Sequence, residues 1–261
     1  MKLLVKADDY GFTEGINLGI IKSHKDGIVT STALMTNMPA AVHGVKLIKD
    51  YPALCLGQHT NFVIGRPVSD PKDVPSLVEA DGNFISSKKS REKIAQGIDP
   101  IPNYEEAFKE AEAQTMKFYE LTGRLPEYLE GHAIGSPTLA KVYNALAKKY
   151  GLVHVSHGDA SLNYGITKAP VRAESIYPWY EKGLSPETFF TSGDSKVLEK
   201  EFALVVVHPG YLDKEIFDMS SFTKVRVWDI YAVTHPDTLK WVKDNNIELV
   251  SYRDIKKHIT F

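Results

Sequence analysis

Four places in the chain put carboxylate or imidazole groups at or within a few residues of the end of a short apolar run. They are Asp8-Asp9 after Leu3-Leu4-Val5, His59 after Leu54-Cys55-Leu56, His132 after Tyr128-Leu129, and His208 after Ala203-Leu204-Val205-Val206-Val207. An apolar run that breaks into polar residues reads as a buried strand reaching a polar rim. One Asp and two His suit a divalent cation, with positions left open for water or substrate. The second Asp and His208 would remain for acid–base work. Neighbouring strand residues point in opposite directions, so Asp8 and Asp9 need not serve the same partner. Each member also has a plainer reading. Asp8-Asp9 can cap a following helix, with Gly11 shaping the turn, and a lone strand-end His is more often a hydrogen-bonded structural residue. Three histidines at equivalent strand ends beside an Asp pair favour a converging site.

Convergence needs a scaffold. Thr13-Glu14 opens a helix that Asp26-Gly27 stops, and Ile28 to Met35 is a β-branched second strand. Pro39 begins a helix that ends before Tyr51-Pro52, and Leu54 to Thr60 forms a third strand. This alternation predicts parallel pairing with crossover helices. Further on, helices are expected over Tyr104–Gly123, Pro137–Tyr150, Glu187–Lys200, Val225–Val233 and Pro236–Asn245. Strands are expected over Tyr128–His132, Leu152–Val155, Ala203–Val207 and Ile247–Val250, before a short terminal helix. In a parallel (β/α) barrel, catalytic groups gather at the carboxyl ends of the strands. Residues spread from position 8 to position 208 would then meet on one rim.

Two stretches break the rhythm. Residues from about Asn61 to Pro102 contain Gly65, Pro67, Pro71, Pro75, Asp81-Gly82 and the run Ser86 to Ser90. A loop of this length is usually functional, so a lid or substrate-facing insertion is expected, with a short hairpin around Gly82. The segment from His157 to Leu184 is irregular and aromatic-rich. His157 could line a pocket there, and Tyr164, Tyr177, Trp179 and Tyr180 could stack on sugar faces or simply pack the loop. Neither a repeat nor a low-complexity linker interrupts residues 1–261, which read as one domain.

Composition narrows the function classes. With 43% hydrophobic and 25% charged residues the chain reads as a soluble globule. A net charge of -2 gives no basic footprint for nucleic acid. No window approaches the ~20 apolar residues of a membrane span, and the apolar run that follows Met1-Lys2 is too short for a signal peptide to be expected. The lone Cys55 excludes an internal disulfide and fits a reducing cytoplasm, most simply as a buried thiol. A Gly-rich phosphate loop is absent after the first strand, as is a Gly-x-Ser-x-Gly elbow, which disfavours nucleotide binding and serine hydrolysis. Glu130 is a candidate for orienting a neighbouring ligand, or an ordinary strand residue.

Six blocks occur in order, nearly end to end: Ala7-Asp8-Asp9-Tyr10-Gly11, Gly27-Ile28-Val29-Thr30-Ser31, Gly57-Gln58-His59, Leu129-Glu130-Gly131-His132, His208-Pro209-Gly210-Tyr211-Leu212-Asp213 and Ser251-Tyr252-Arg253-Asp254. Together they resemble the YdjC-like carbohydrate deacetylases, which include chitooligosaccharide deacetylases. The resemblance implies a distorted (β/α) barrel of the polysaccharide-deacetylase and glycoside-hydrolase type and a divalent metal ion, Mg or Zn. It implies Asp9, His59 and His132 as metal ligands, Asp8 as general base, and His208 as acid or oxyanion partner. The reaction expected is removal of N-acetyl groups from small N-acetylated oligosaccharides such as chitobiose or its phosphate. A disaccharide-phosphate cleaving enzyme and a non-catalytic metal- or sugar-binding barrel are the alternatives. Arg66, Tyr211, Arg226 and Lys6 are candidates for substrate contact, the three cations competing with a reading as ordinary surface or rim charges. The family usually continues after this fourth block with a His-His-His-x-His run, where this chain has Ala133-Ile134-Gly135-Ser136. The expected partner is a small carbohydrate, with neither nucleic acid nor membrane, and a symmetric homodimer is the assembly carried forward.

Overall fold

Among the described residues, eight parallel strands form one sheet, most of them on the apolar runs. The computed structural model describes residues 1–155, 171–172, 181–193 and 196–256. The strands are β1 (Lys2–Tyr10), β2 (Ser31–Leu34), β3 (Cys55–Thr60), β4 (Tyr128–Gly131), β5 (Val153–His154), β6 (Val171–Arg172), β7 (Phe202–Val207) and β8 (Glu248–Leu249). They lie in the order β5-β4-β3-β2-β1-β7-β6, with every pairing parallel. Among the described residues no pairing joins β5 to β6. The nine-residue β1 is long enough to serve β7 from Lys2 to Ala7 while sharing its other edge. On that edge, β8 pairs at Lys2 and Leu3, and β2 pairs from Lys6 onward. The architecture is the expected distorted (β/α) barrel.

The helices are α1 (Glu14–Lys25), α2 (Ala41–Ile48), α3 (Ser87–Ala95), α4 (Tyr104–Thr122), α5 (Pro137–Tyr150), α6 (Thr188–Thr191), α7 (Lys214–Met219), α8 (Lys224–Thr234), α9 (Pro236–Asp244) and α10 (Tyr252–Lys256). Their ends obey local chemistry. Thr13 caps α1 by accepting from the Ile16 amide, and Ser136 caps α5 ahead of Pro137. Gly123 and Gly151 close α4 and α5 in the left-handed conformation. Among the described residues, no helix is long and apolar enough to cross a membrane.

Alternation along β1 sorts its side chains. Leu3, Val5 and Ala7 join the apolar layer beneath α1, α2 and α8, with Ile16, Ile20, Val45 and Val233. Leu4 belongs to the inner cluster with Ala33, Cys55, Tyr128 and Leu204. The same two-residue period turns Lys6 and Asp8 inward with Leu4. Beyond Ala7 the register with β2 shifts, and Asp9 takes a left-handed backbone at φ 73°. Such a bulge re-aims side chains at a strand end. It brings both carboxylates to the same end of the barrel.

Three expectations change. The helix expected over Glu187–Lys200 reduces to the four-residue α6 and a 3₁₀ turn at Val197–Glu199, because Gly193 and Lys196 adopt positive φ between them. The second strand is shorter than Ile28–Met35, and a six-residue helix, α7, follows the His208 block. The insertion contains two 3₁₀ turns, α3 and a single antiparallel bridge, Val78 to Phe84, around Gly82. It folds down on α4, whose buried Glu110 accepts from the amides of Val68 and Ser69 at 2.9 Å each. His157, Tyr164, Tyr177, Trp179 and Tyr180 lie outside the described residues.

Candidate metal centre and active site

The four strand ends meet. Asp9 Oδ1 lies 3.3 Å from His59 Nε2 and 3.2 Å from His132 Nδ1, and those two nitrogens are 3.0 Å apart. Donor atoms bound ~2.0–2.1 Å from one cation are separated by about this much. The buried Asp9 Oδ1 makes no hydrogen bond of proper geometry. Asp9, His59 and His132 therefore present three converging donors that can hold a metal ion.

The surrounding groups fix these donors. Glu130 Oε1 sits 3.0 Å from His59 Nδ1, which leaves Nε2 to face Asp9 and His132. A carboxylate behind a ligating imidazole sets its tautomer and ring orientation. Glu130 Oε2 contacts Lys6 Nζ, and Lys6 Nζ also lies 2.7 Å from Asp8 Oδ1. On the other flank, Arg226 Nη2 donates to Asp9 Oδ2 at 2.8 Å and Nε donates to the Phe222 carbonyl at 2.7 Å. The guanidinium is sandwiched between the rings of Phe12 and Phe222.

The rim-charge reading of two cations is thereby corrected. Lys6 is 0% exposed and Arg226 2%, because their charges neutralise carboxylates that the strand ends carry inward. The alternation Leu4-Lys6-Asp8 was the sequence signal for Lys6. For Arg226, on a helix distant in sequence, no comparable signal exists. Glu130, weighed between orienter and ordinary strand residue, lies where an orienter would, with Oε1 3.0 Å from His59 Nδ1. Cys55 is fully buried, and burial pushes its thiol up to about 12.

Charge explains the protonation pattern. Burial alone would raise the Asp9 carboxyl, but Arg226, with help from His132 and His59, holds it well below the usual carboxylate range. Burial alone would lower His59, yet Asp8, Asp9 and Glu130 outweigh it and hold the imidazole up at about 10. Burial likewise opposes the charge on Lys6, and Asp8 and Glu130 more than restore it. Three buried carboxylates face two permanent cations, so the cluster keeps one proton or welcomes a metal ion in its place.

Asp8 and His208 face a cavity of about 520 Å³. His208 Nε2 is 3.8 Å from Asp8 Oδ2, while the His208 amide donates to Asp229 Oδ2 at 2.6 Å. Phe222 meets the ring edge-on at 5.1 Å, and burial outweighs the pull of Asp8 and Asp9 to lower the His208 pKa. The segment that replaces the histidine run, Ala133 to Ser136, forms one wall of the cavity with Leu139, Tyr143 and Val206. Tyr211 lies instead on a second cavity of about 740 Å³, with Phe12, Pro39 and Met219. Arg66 is exposed, and a Cβ at Gly82 would lie 2.5 Å from its Nη2. The structure thus joins Asp8, Asp9, His59, His132, His208 and Arg226 in one constellation, with Arg66 and Tyr211 outside it.

Known proteins resemble this chain along nearly its whole length. The model of the family described as YdjC-like protein matches residues 2–244. A protein of Listeria innocua named carbohydrate deacetylase 2 is 31% identical over 98% of this chain and 100% of its own length. A candidate cellobiose-phosphate cleavage protein of Enterococcus faecalis, solved by crystallography, is 26% identical with a TM-score of 0.82, covering 97% of this chain and 98% of its own. A family 4 acetyl xylan esterase of Clostridium thermocellum, solved with a cobalt ion, shares the fold at TM-score 0.53 and 11% identity, covering 98% of this chain and 91% of its own.

Proposed function

The chain belongs to the YdjC-like protein family, and from that premise we propose that it is a metal-dependent carbohydrate deacetylase. Its substrate would be a small N-acetylated oligosaccharide such as chitobiose or its phosphate. The observation that carries this reading is the triad Asp9, His59 and His132, with donors 3.0–3.3 Å apart, beside the Asp8–His208 pair on an open cavity. The carbohydrate deacetylase names of relatives that align along the whole chain support it.

A divalent ion held by Asp9, His59 and His132 would polarise the acetamide carbonyl and ease deprotonation of water. The protein's own groups supply the proton handling. Lys6 holds Asp8 through Oδ1, which leaves Oδ2 towards the cavity and His208 to accept the proton of the attacking water. His208, whose partly buried ring disfavours the charged form, is placed to steady the tetrahedral oxyanion or to pass a proton to the leaving nitrogen. Water adds to the carbonyl carbon, the C–N bond breaks, and acetate and a free amine leave. Arg226 acts through Asp9, and Tyr211 and Arg66 are proposed to contact the part of the substrate distant from the acetamide.

Disaccharide-phosphate cleavage is less well supported. Glycoside hydrolysis takes two carboxylates ~5–9.5 Å apart across the bond, and Asp8 is the one carboxylate among the described residues lining the cavity. Product analysis separates the two. Released acetate with an intact disaccharide supports the deacetylase, and released monosaccharide without acetate refutes it.

A further inference from the structure

His59 stands between two groups of potential ligands. Asp9, His59 and His132 form one, and Asp8, His59 and Glu130 form the other, with the ligand atoms of each group within 4.8 Å of one another. The imidazole serves the first through Nε2 and faces the second through Nδ1. Two members of the second group, Asp8 and Glu130, already hold a cation. Lys6 Nζ lies 2.7 Å from Asp8 Oδ1 and contacts Glu130 Oε2, with the side chain fully buried.

Two carboxylates converging in a buried space cannot both remain ionised without a positive charge between them. A lysine ammonium supplies that charge as a compact head with three donors and no acceptor. Unlike a metal ion it is tethered, so it cannot dissociate and offers no coordination position to a ligand. We infer that Lys6 stands in for a second metal ion and thereby keeps this centre mononuclear. The inference rests on the metal site proposed above and goes beyond it.

The arrangement has a chemical consequence. An ion between Asp8 and Glu130 would take Asp8 as a ligand and divert its lone pairs from water. Lys6 Nζ lies against Oδ1 at 2.7 Å, while Oδ2 is 3.8 Å from His208 Nε2. It fixes Glu130 at the same time, so the base and the orienter of His59 share one counter-ion. Lys6 is in this sense a positioning residue for both.

The test counts ions. The full chain and its Lys6→Ala variant are dialysed against zinc, then against cobalt, and bound metal per chain is measured by elemental analysis. The wild type is expected to hold one ion, Lys6→Ala two, and Lys6→Ala combined with Glu130→Gln one again. Lys6→Gln preserves most of the side-chain volume and offers an amide oxygen as ligand. It is expected to gain the same second ion, and it serves where Lys6→Ala does not fold. Two ions in the wild type, or one in each single Lys6 variant that folds, overturn the inference while leaving the metal site standing. An absence of bound ion in all of them refutes the metal site itself and the inference with it.

Discussion

Glu127 and Glu130 sit three residues apart at opposite ends of β4, and they have opposite surroundings. Glu127 accepts from the Leu56 amide at 3.1 Å, from Arg253 Nη2 at 2.8 Å and Nε at 2.5 Å, and from Arg124 at 3.0 Å. Its partners are permanent cations and a backbone amide, with Arg253 partly open to solvent. Glu130 is 0% exposed and shares Lys6 with Asp8, while its other oxygen faces an imidazole that can gain or lose a proton. The first arrangement is closed: every charge is answered and nothing is left to react. The second is chemically unfinished, because His59 still presents Nε2 to a cluster short of positive charge. In barrels of this type the amino ends of the strands carry stability and the carboxyl ends carry chemistry. Partners that can still exchange a proton or a ligand, rather than burial alone, distinguish the two ends.

Substitutions should divide along the same line. Asp9→Asn, at the unfinished end, is expected to abolish metal retention and reduce acetate release to background, as measured by elemental analysis and an acetate assay on the same sample. Normal metal content in that variant would dissolve the distinction. Asp8→Asn should keep the metal and lose ~10²–10⁴-fold in kcat, the usual contribution of a positioned general base. If its metal content falls with its activity, Asp8 belongs to the ligands. Glu130→Gln should weaken metal affinity ~10–100-fold, the usual effect of removing the partner behind a ligating His, read from a competition titration with a chelator.

The closed end supplies the smallest effect on activity. Glu127→Gln should leave kcat/KM unchanged and lower stability by about 1–2 kcal/mol at pH 7, less than the pKa shift alone implies because solvent screens Arg253. Although burial opposes its charge, the Arg253 guanidinium and the Leu56 amide hold Glu127 down at about 2. Its contribution is therefore present above the unfolded value near ~4.5 and lost as pH falls through about 2. The gap in urea midpoint between wild type and variant should narrow over that window. A gap that stays constant to pH 2.5 would place the stabilisation elsewhere.

Much of this was legible from residue types alone. Asp8-Asp9, His59, His132 and His208 end apolar runs, and parallel strands deliver such residues to a common rim. The long helices Tyr104–Thr122 and Pro137–Tyr150 carry their own stop signals in Gly123 and Gly151, so they read cleanly. The counter-ions did not. The alternation Leu4-Lys6-Asp8 points Lys6 inward, but Glu130, which shares it with Asp8, lies 124 positions away. Arg226 reaches Asp9 across 217 positions, a separation that no local pattern encodes. The bulge that turns Asp9 into the cluster arises from strand pairing and a left-handed residue, neither of which its residue type announces.

The central claim is that Asp9, His59 and His132 hold a single divalent ion, with Asp8 left free for water. A crystal of the wild-type protein soaked in cobalt, with anomalous differences collected at the cobalt edge, tests this most directly. The account predicts one strong peak per chain, bounded by Asp9 Oδ1, His59 Nε2 and His132 Nδ1, with Lys6 Nζ still between Asp8 and Glu130. A peak between Asp8 and Glu130, or none near His59, would contradict it.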